Sequence, residues 1–128
     1  LGRCSPFSSL AVVGTTLSIS NSDDGLEIIR LPFAFAWRGL MNFTFVTVTT
    51  NGVIFVGNST FNGCCGATPI GENNQYSEEK WVVVAHSDLD PSSGGSIYTG
   101  MLGDAFVVSW EGVPPFGNGS EFGLYFQT

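Results

Sequence analysis

Residues 81–110 read WVVVAHSDLDPSSGGSIYTGMLGDAFVVSW, and this stretch decides the architecture. Residues 81–85 form an apolar, β-branched run too short for an ordinary helix, and a polar turn follows. In that turn, residues 90–95, Pro91 presets φ and the glycines supply φ > 0, so the chain reverses before residues 96–99. Gly103 and Asp104 reverse it again into residues 105–110, where Phe106, Val108 and Trp110 share one face. The pattern is a β-meander, half-buried against a second sheet.

Composition carries the same reading to the rest of the chain. A length of 128 residues suits one domain able to bury a core. With 17 Gly, 11 Phe and no window of sustained helical periodicity, the expected fold class is all-β, an antiparallel sandwich of short strands. The only cations are Arg3, Arg30, Arg38 and Lys80, against 11 carboxylates. Such a surface repels phosphate and anionic lipid, so nucleic acid and acidic membranes are poor partners. No apolar run approaches the roughly 18 residues of a membrane span, so membrane insertion is not expected.

The chain opens on Leu1 with no charged and apolar leader, which reads as a processed or partial chain. Three N-x-S/T triplets, at Asn42, Asn58 and Asn118, are acceptors for covalent N-glycans on a secretory route. Together in a Lys-poor chain they favour a secreted or cell-surface glycoprotein over three unmodified loop residues. The cysteines are Cys4, Cys64 and Cys65, an odd number. Adjacent cysteines strain to bridge each other, so the economical disulfide joins Cys4 to Cys64 or Cys65. It would stabilise the fold by about 4 kcal/mol in the chain-entropy model. The sulfur left over is a small buried hydrophobe or a bond to a neighbouring molecule. No Cys/His spacing points to zinc.

In chain order, residues 1–20 read as an N-terminal arm and residues 21–128 as the sandwich. Residues 10–20 read as one long strand: Leu10 starts it, Ala11, Val13, Leu17 and Ile19 share a face, and residues 21–25 break it. Beyond that polar hinge, the strand is free to pair with its own sheet or with another subunit's. Residues 26–30 are a short strand. Phe33, Phe35 and Trp37 then alternate with alanines, reading as a core wall, with a sugar-stacking platform as the alternative. Residues 43–49 and 53–56 flank Asn51-Gly52, the signal for a type I′ hairpin with φ > 0 at both residues.

Four motifs now stand in order: Leu31-Pro32-Phe33-x-Phe35, Thr49-Thr50-Asn51-Gly52, Ser87-Asp88-Leu89-Asp90, and Leu102-Gly103-Asp104-x-Phe106-Val107-Val108-x-Trp110-x-x-Val113. In this order they resemble the extracellular nidogen-like (NIDO) domain pattern, from about Leu31 to the C-terminus. The resemblance implies an extracellular sandwich-like module of matrix, adhesion or surface proteins, with no catalytic residues to carry over. Residues 10–20 fall outside it, and the Cys64-Cys65 pair departs from it.

The search for chemistry is largely negative. Asp88, Asp90 and Ser92 alternate oxygen ligands, but position twelve counted from Asp88 is Thr99, so turn hydrogen bonding is the default and a weak calcium site the alternative. No other cofactor is expected. His86, Ser87 and Asp88 are consecutive, so on a strand they face alternately and form no triad. Glu78/Glu79 and Asp88/Asp90 are carboxylate pairs whose spacing alone carries no glycosidase reading. Residues 112–119 form a loop that opens no helix and cradles no phosphate. No enzyme is expected.

Two functions follow. In the first, the chain is a structural subunit that polymerises with copies of itself into an extracellular fibre or surface layer, residues 10–20 completing a neighbour's sheet. In the second, it is a monomeric adhesion module recognising carbohydrate or protein through Phe33, Phe35 and Trp37 or through residues 112–120. The second requires the aromatic row to be exposed.

Overall fold

The structure, a computed structural model, describes residues 7–64, 80–117 and 123–128. Its strands are β1 (Thr15–Thr16), β2 (Leu26–Trp37), β3 (Leu40–Thr49), β4 (Val53–Val56), β5 (Trp81–Val83), β6 (Ser96–Leu102), β7 (Ala105–Val113) and β8 (Leu124–Gln127). They make two antiparallel four-stranded sheets, ordered β1-β6-β7-β8 and β2-β3-β4-β5. The expected all-β, sandwich-like class is what the chain adopts.

The alternation read in residues 105–110 sets the inner face. In the β6/β7 ladder Ile97 pairs with Trp110 and Thr99 with Val108, so these four side chains point the same way. Opposite them stand Val46 and Val48 of β3 and Ile54 of β4, all in one buried cluster with Leu17, Ile19, Leu31, Leu89 and Val113. Burial of each such side chain stabilises the fold by about 1.5 to 3 kcal/mol.

Turn chemistry fixes the hairpins, with one exchange of roles. The hairpin at Thr49–Gly52 forms as expected, but only Gly52 takes a left-handed φ, 74°; Asn51 does not. Three residues separate Thr49 from Val53, and glycine supplies the one left-handed position of that loop. The two-residue turn with both φ positive lies instead at Arg38 (46°) and Gly39 (79°), between the paired Trp37 and Leu40. The expected short strand over residues 26–30 continues through Pro32 to Trp37. Proline is tolerated there because β2 is a sheet edge.

Each sheet is covered over part of its outer face. On β7 the outward Val107, Ser109 and Glu111 are buried at 8%, 0% and 9% exposure, beneath the segment that begins at Phe7. Glu111 accepts the Leu10 N–H at 2.7 Å and the Ser9 hydroxyl at 2.5 Å, while the Phe7 and Tyr125 rings meet edge to face at 6.0 Å. On the other sheet, the connection after β4 folds back. Thr47 donates to the Gly57 carbonyl and accepts the Ser59 N–H, both at 2.9 Å. Phe55, 1% exposed, lies between Phe61 and the stacked Trp81. This explains why β4 reads as continuous apolar sequence: it is buried on both faces.

The long strand expected over residues 10–20 is not formed. Only Thr15–Thr16 pair with β6; residues 11–13 are a turn closed by Gly14 N–H donating to Leu10 C=O at 2.7 Å, and Ser18–Asn21 are a 3-10 turn. The apolar residues divide accordingly. Leu10, Leu17 and Ile19 are buried in their own molecule, whereas Val13 is 71% exposed and Ala11 is also exposed. A covering segment has no reason to keep period-two alternation; here it packs Leu10 on a face and completes the β6 edge only at Thr15–Thr16.

Candidate functional site

The β2/β3 ribbon carries its inner face past the end of the core. Leu31 is 7% exposed, but Phe33 and Phe35, further along β2, are 40% and 36% exposed. With Val46, Ile54, Val56, Val82, Phe106 and Val108 they line a groove of about 320 Å³ between the sheets. The core-wall expectation for Phe33 and Phe35 is thus corrected: Phe106 and Val108 of β7 wall the far side of the groove, but no described residue closes over the two rings. Trp37 is half-buried, its ring 6.4 Å from Phe35 and beneath the Arg38 guanidinium at 5.8 Å. None of the described side chains that line it is ionisable, and Thr128 is the one polar residue among them. The groove therefore has the chemistry to hold an apolar group.

An acidic corner forms elsewhere. The Asn51 amide donates to Asp24 Oδ1 at 2.9 Å, and its oxygen accepts the Leu89 N–H at 2.8 Å, tying the β3–β4 hairpin to residues 87–90. Ligand atoms of Asp24, Asp88 and Cys64 lie within 4.8 Å of one another. Cys64 is disulfide-bonded, so its sulfur is not a thiolate ligand. Burial raises the Asp23 carboxyl above its ordinary 3.8, and repulsion from Asp24, Asp90 and Asp88 adds to the rise. Asp90 is shifted the other way: hydrogen bonds from the Ser92 and Ser93 hydroxyls lower it, against burial. Both Asp90 oxygens are taken by its own turn, while Asp88 faces Asp24. The two candidate calcium ligands therefore point to different tasks.

His86 is buried at 8% exposure, in a left-handed backbone conformation (φ 42°), with its ring edge-on to Trp81 at 5.7 Å. Its Nε2 has no hydrogen-bond partner among the described residues. Of the three asparagines expected to accept glycans, Asn42 and Asn58 are exposed. Asn118, Cys4, Cys65, Glu78 and Glu79 lie outside the described residues, as does the pairing partner of Cys64.

The sequence model of the family described as NIDO related matches residues 3–128. The chain belongs to the NIDO-related family. The match also takes in residues 10–20, which motif resemblance left outside. No curated protein and no solved structure gives a significant match. In this NIDO-related domain three of the four motifs that carry the resemblance interlock by hydrogen bonds. Asn51 of the hairpin motif bonds Leu89 of the Ser87–Asp90 motif, and Trp110 of the last motif donates its indole N–H to the Thr49 carbonyl. Sequence reasoning missed Glu111, a buried carboxylate holding Ser9, Leu10 and Ser109; its one legible signal was a lone acid on an otherwise apolar strand.

Proposed function

We propose that this NIDO-related domain is an extracellular, non-catalytic binding module that holds an apolar segment of a partner polypeptide in the groove beside Phe33 and Phe35. One observation carries the reading: two phenylalanines stay exposed on the inner face of β2, at the rim of a groove with no ionisable side chain among its described lining. Carbohydrate needs convergent polar groups beside an aromatic platform, and Thr128 is the single polar residue among the described lining, so protein is the favoured ligand class. Family membership and the disulfide at Cys64 support an oxidising, extracellular setting. No helix among the described residues is long and apolar enough to cross a membrane. Peptides selected from a displayed library on the immobilised domain should alternate apolar residues and lose at least tenfold in affinity on the Phe33→Ser/Phe35→Ser variant. Binding of glycans alone, unchanged in that variant, would overturn the reading.

A second reading, a homopolymeric fibre or surface-layer subunit bearing glycans at Asn42 and Asn58, is favoured by a different observation. Val12 and Val13 are 94% and 71% exposed on a turn, and the twelve-residue β2 presents an open edge with few charges. Donation of the whole of residues 10–20 would draw Leu17 and Ile19 out of the core, so the groove and the β2 edge are the better contacts for such a polymer. Sedimentation across a concentration series, with electron microscopy of the heaviest fraction, separates polymer from monomer.

A further inference from the structure

We propose that residues 10–14 have two seats on the β6 edge: the clasped turn described above, and an extended strand that lengthens β1 into the gap beside β2. The proposal does not depend on the Phe33 groove being a binding site.

The second seat follows from register. β6 spans Ser96–Leu102, yet β1 pairs only with Tyr98 and Thr99. The Ile97 carbonyl accepts the Leu17 N–H, and the Ile97 N–H donates to the Ser20 hydroxyl, each at 2.9 Å, so Ile97 turns both backbone groups toward the N-terminal segment. Alternation along the strand turns Met101 the same way, beyond the last β1 pair. Thr15 faces Thr99 and Thr16 faces Tyr98; continued by two residues, that register sets Gly14 against Gly100 and Val13 against Met101. Val13 would then share the inward face of Thr15 and Leu17. It would enter a gap of about 650 Å³ between β2 and β6 that Met101, Leu31 and Phe106 already line. The side chain that would enter this gap is now 71% exposed.

The first seat is held by few contacts. Leu10 is fully buried over Gly100, and Glu111 accepts its N–H. The turn itself demands glycine at position 14, where a Cβ would stand 2.8 Å from both Cβ and the carbonyl oxygen of Leu10. Passage to the extended seat exchanges Leu10 burial for Val13 burial and sets the Val13 backbone beside that of Met101. It also uncovers Val107, Ser109 and Glu111, so the segment acts as a strap over the outer face of β7.

Amide hydrogen exchange on the full chain tests this, with tryptophan fluorescence confirming the fold. Glu111→Gln weakens the clasp, and Gly14→Ala breaks the turn without touching Glu111, so the second carries the test if the first does not fold. The expected result is at least tenfold faster exchange at Leu10 with at least tenfold slower exchange at Met101. Faster exchange at Leu10 with Met101 unchanged means a strap that frays with nowhere to go, and overturns the proposal. So does Leu10 remaining protected in both variants. Protection of Met101 that appears only as protein concentration rises would place a second copy in the gap, and overturns it as well.

Discussion

The indole N–H of Trp110, on β7, donates to the carbonyl oxygen of Thr49, on β3, at 3.1 Å, a hydrogen bond that crosses the buried core from one sheet to the other. Trp110→Phe keeps most of the apolar bulk but leaves that carbonyl without this donor and opens a void beside it. The combined loss should be about 2 to 4 kcal/mol. Urea denaturation at fixed pH should show a lower midpoint with an unchanged slope.

Asn51 offers a second joint. It is fully buried and uses its amide as donor to Asp24 and its carbonyl as acceptor from Leu89. Asn51→Asp keeps the acceptor but sets a second carboxylate against Asp24, so it should destabilise more than Asn51→Ser, by roughly 1 kcal/mol or more at neutral pH. The excess should shrink as acid protonates the pair, which thermal melts at pH 7 and pH 4 would measure.

The two shifted aspartates predict opposite pH signatures. Asp23, raised by burial and by its acidic neighbours, favours the folded state only while protonated; that contribution is complete below the ordinary carboxylate pKa and is lost as pH rises through the raised value. Asp23→Asn should therefore raise the melting temperature at pH 7 and lose its advantage in acid. Asp90, lowered by the Ser92 and Ser93 hydroxyls, contributes above the ordinary value and loses its contribution as pH falls through the lowered one. Asp90→Asn should lower the melting temperature at pH 7, and the deficit should close in acid.

Phenylalanines at two addresses should behave differently. Phe55 is 1% exposed between two rings, so Phe55→Ala should cost about 3 to 5 kcal/mol. Phe33 is 40% exposed at the groove rim, and Phe33→Ser should cost about 1 kcal/mol or less. Equal losses at the two positions would mean that the rim is packed as core.

The strands were legible wherever period two reports a single buried face. Residues 105–110 place Phe106, Val108 and Trp110 inward, and the Asn51-Gly52 hairpin lies where its glycine demands. Legibility failed where a third layer intervenes. Residues 10–20 alternate well enough to pass for a strand, yet Leu10 is buried on an outer face, Leu17 on the inner one and Ile19 in a 3-10 turn. Alternation cannot tell these environments apart. Phe33 and Phe35 misled for the opposite reason: they continue the inner-face pattern of Leu31 past the last described residue that closes over it. The Asn51 and Glu111 joints rest on hydrogen bonds between residues 38 and 101 positions apart, a separation that local pattern does not sample.

The tips at Gly39 and Gly103 each have open space where a side chain would stand. Both cap hairpins whose strands wall the Phe33 groove. Loops grafted there would heighten the rim of the cleft and leave the interior untouched, so new specificities could be installed at these two points as bristles are set in a brush.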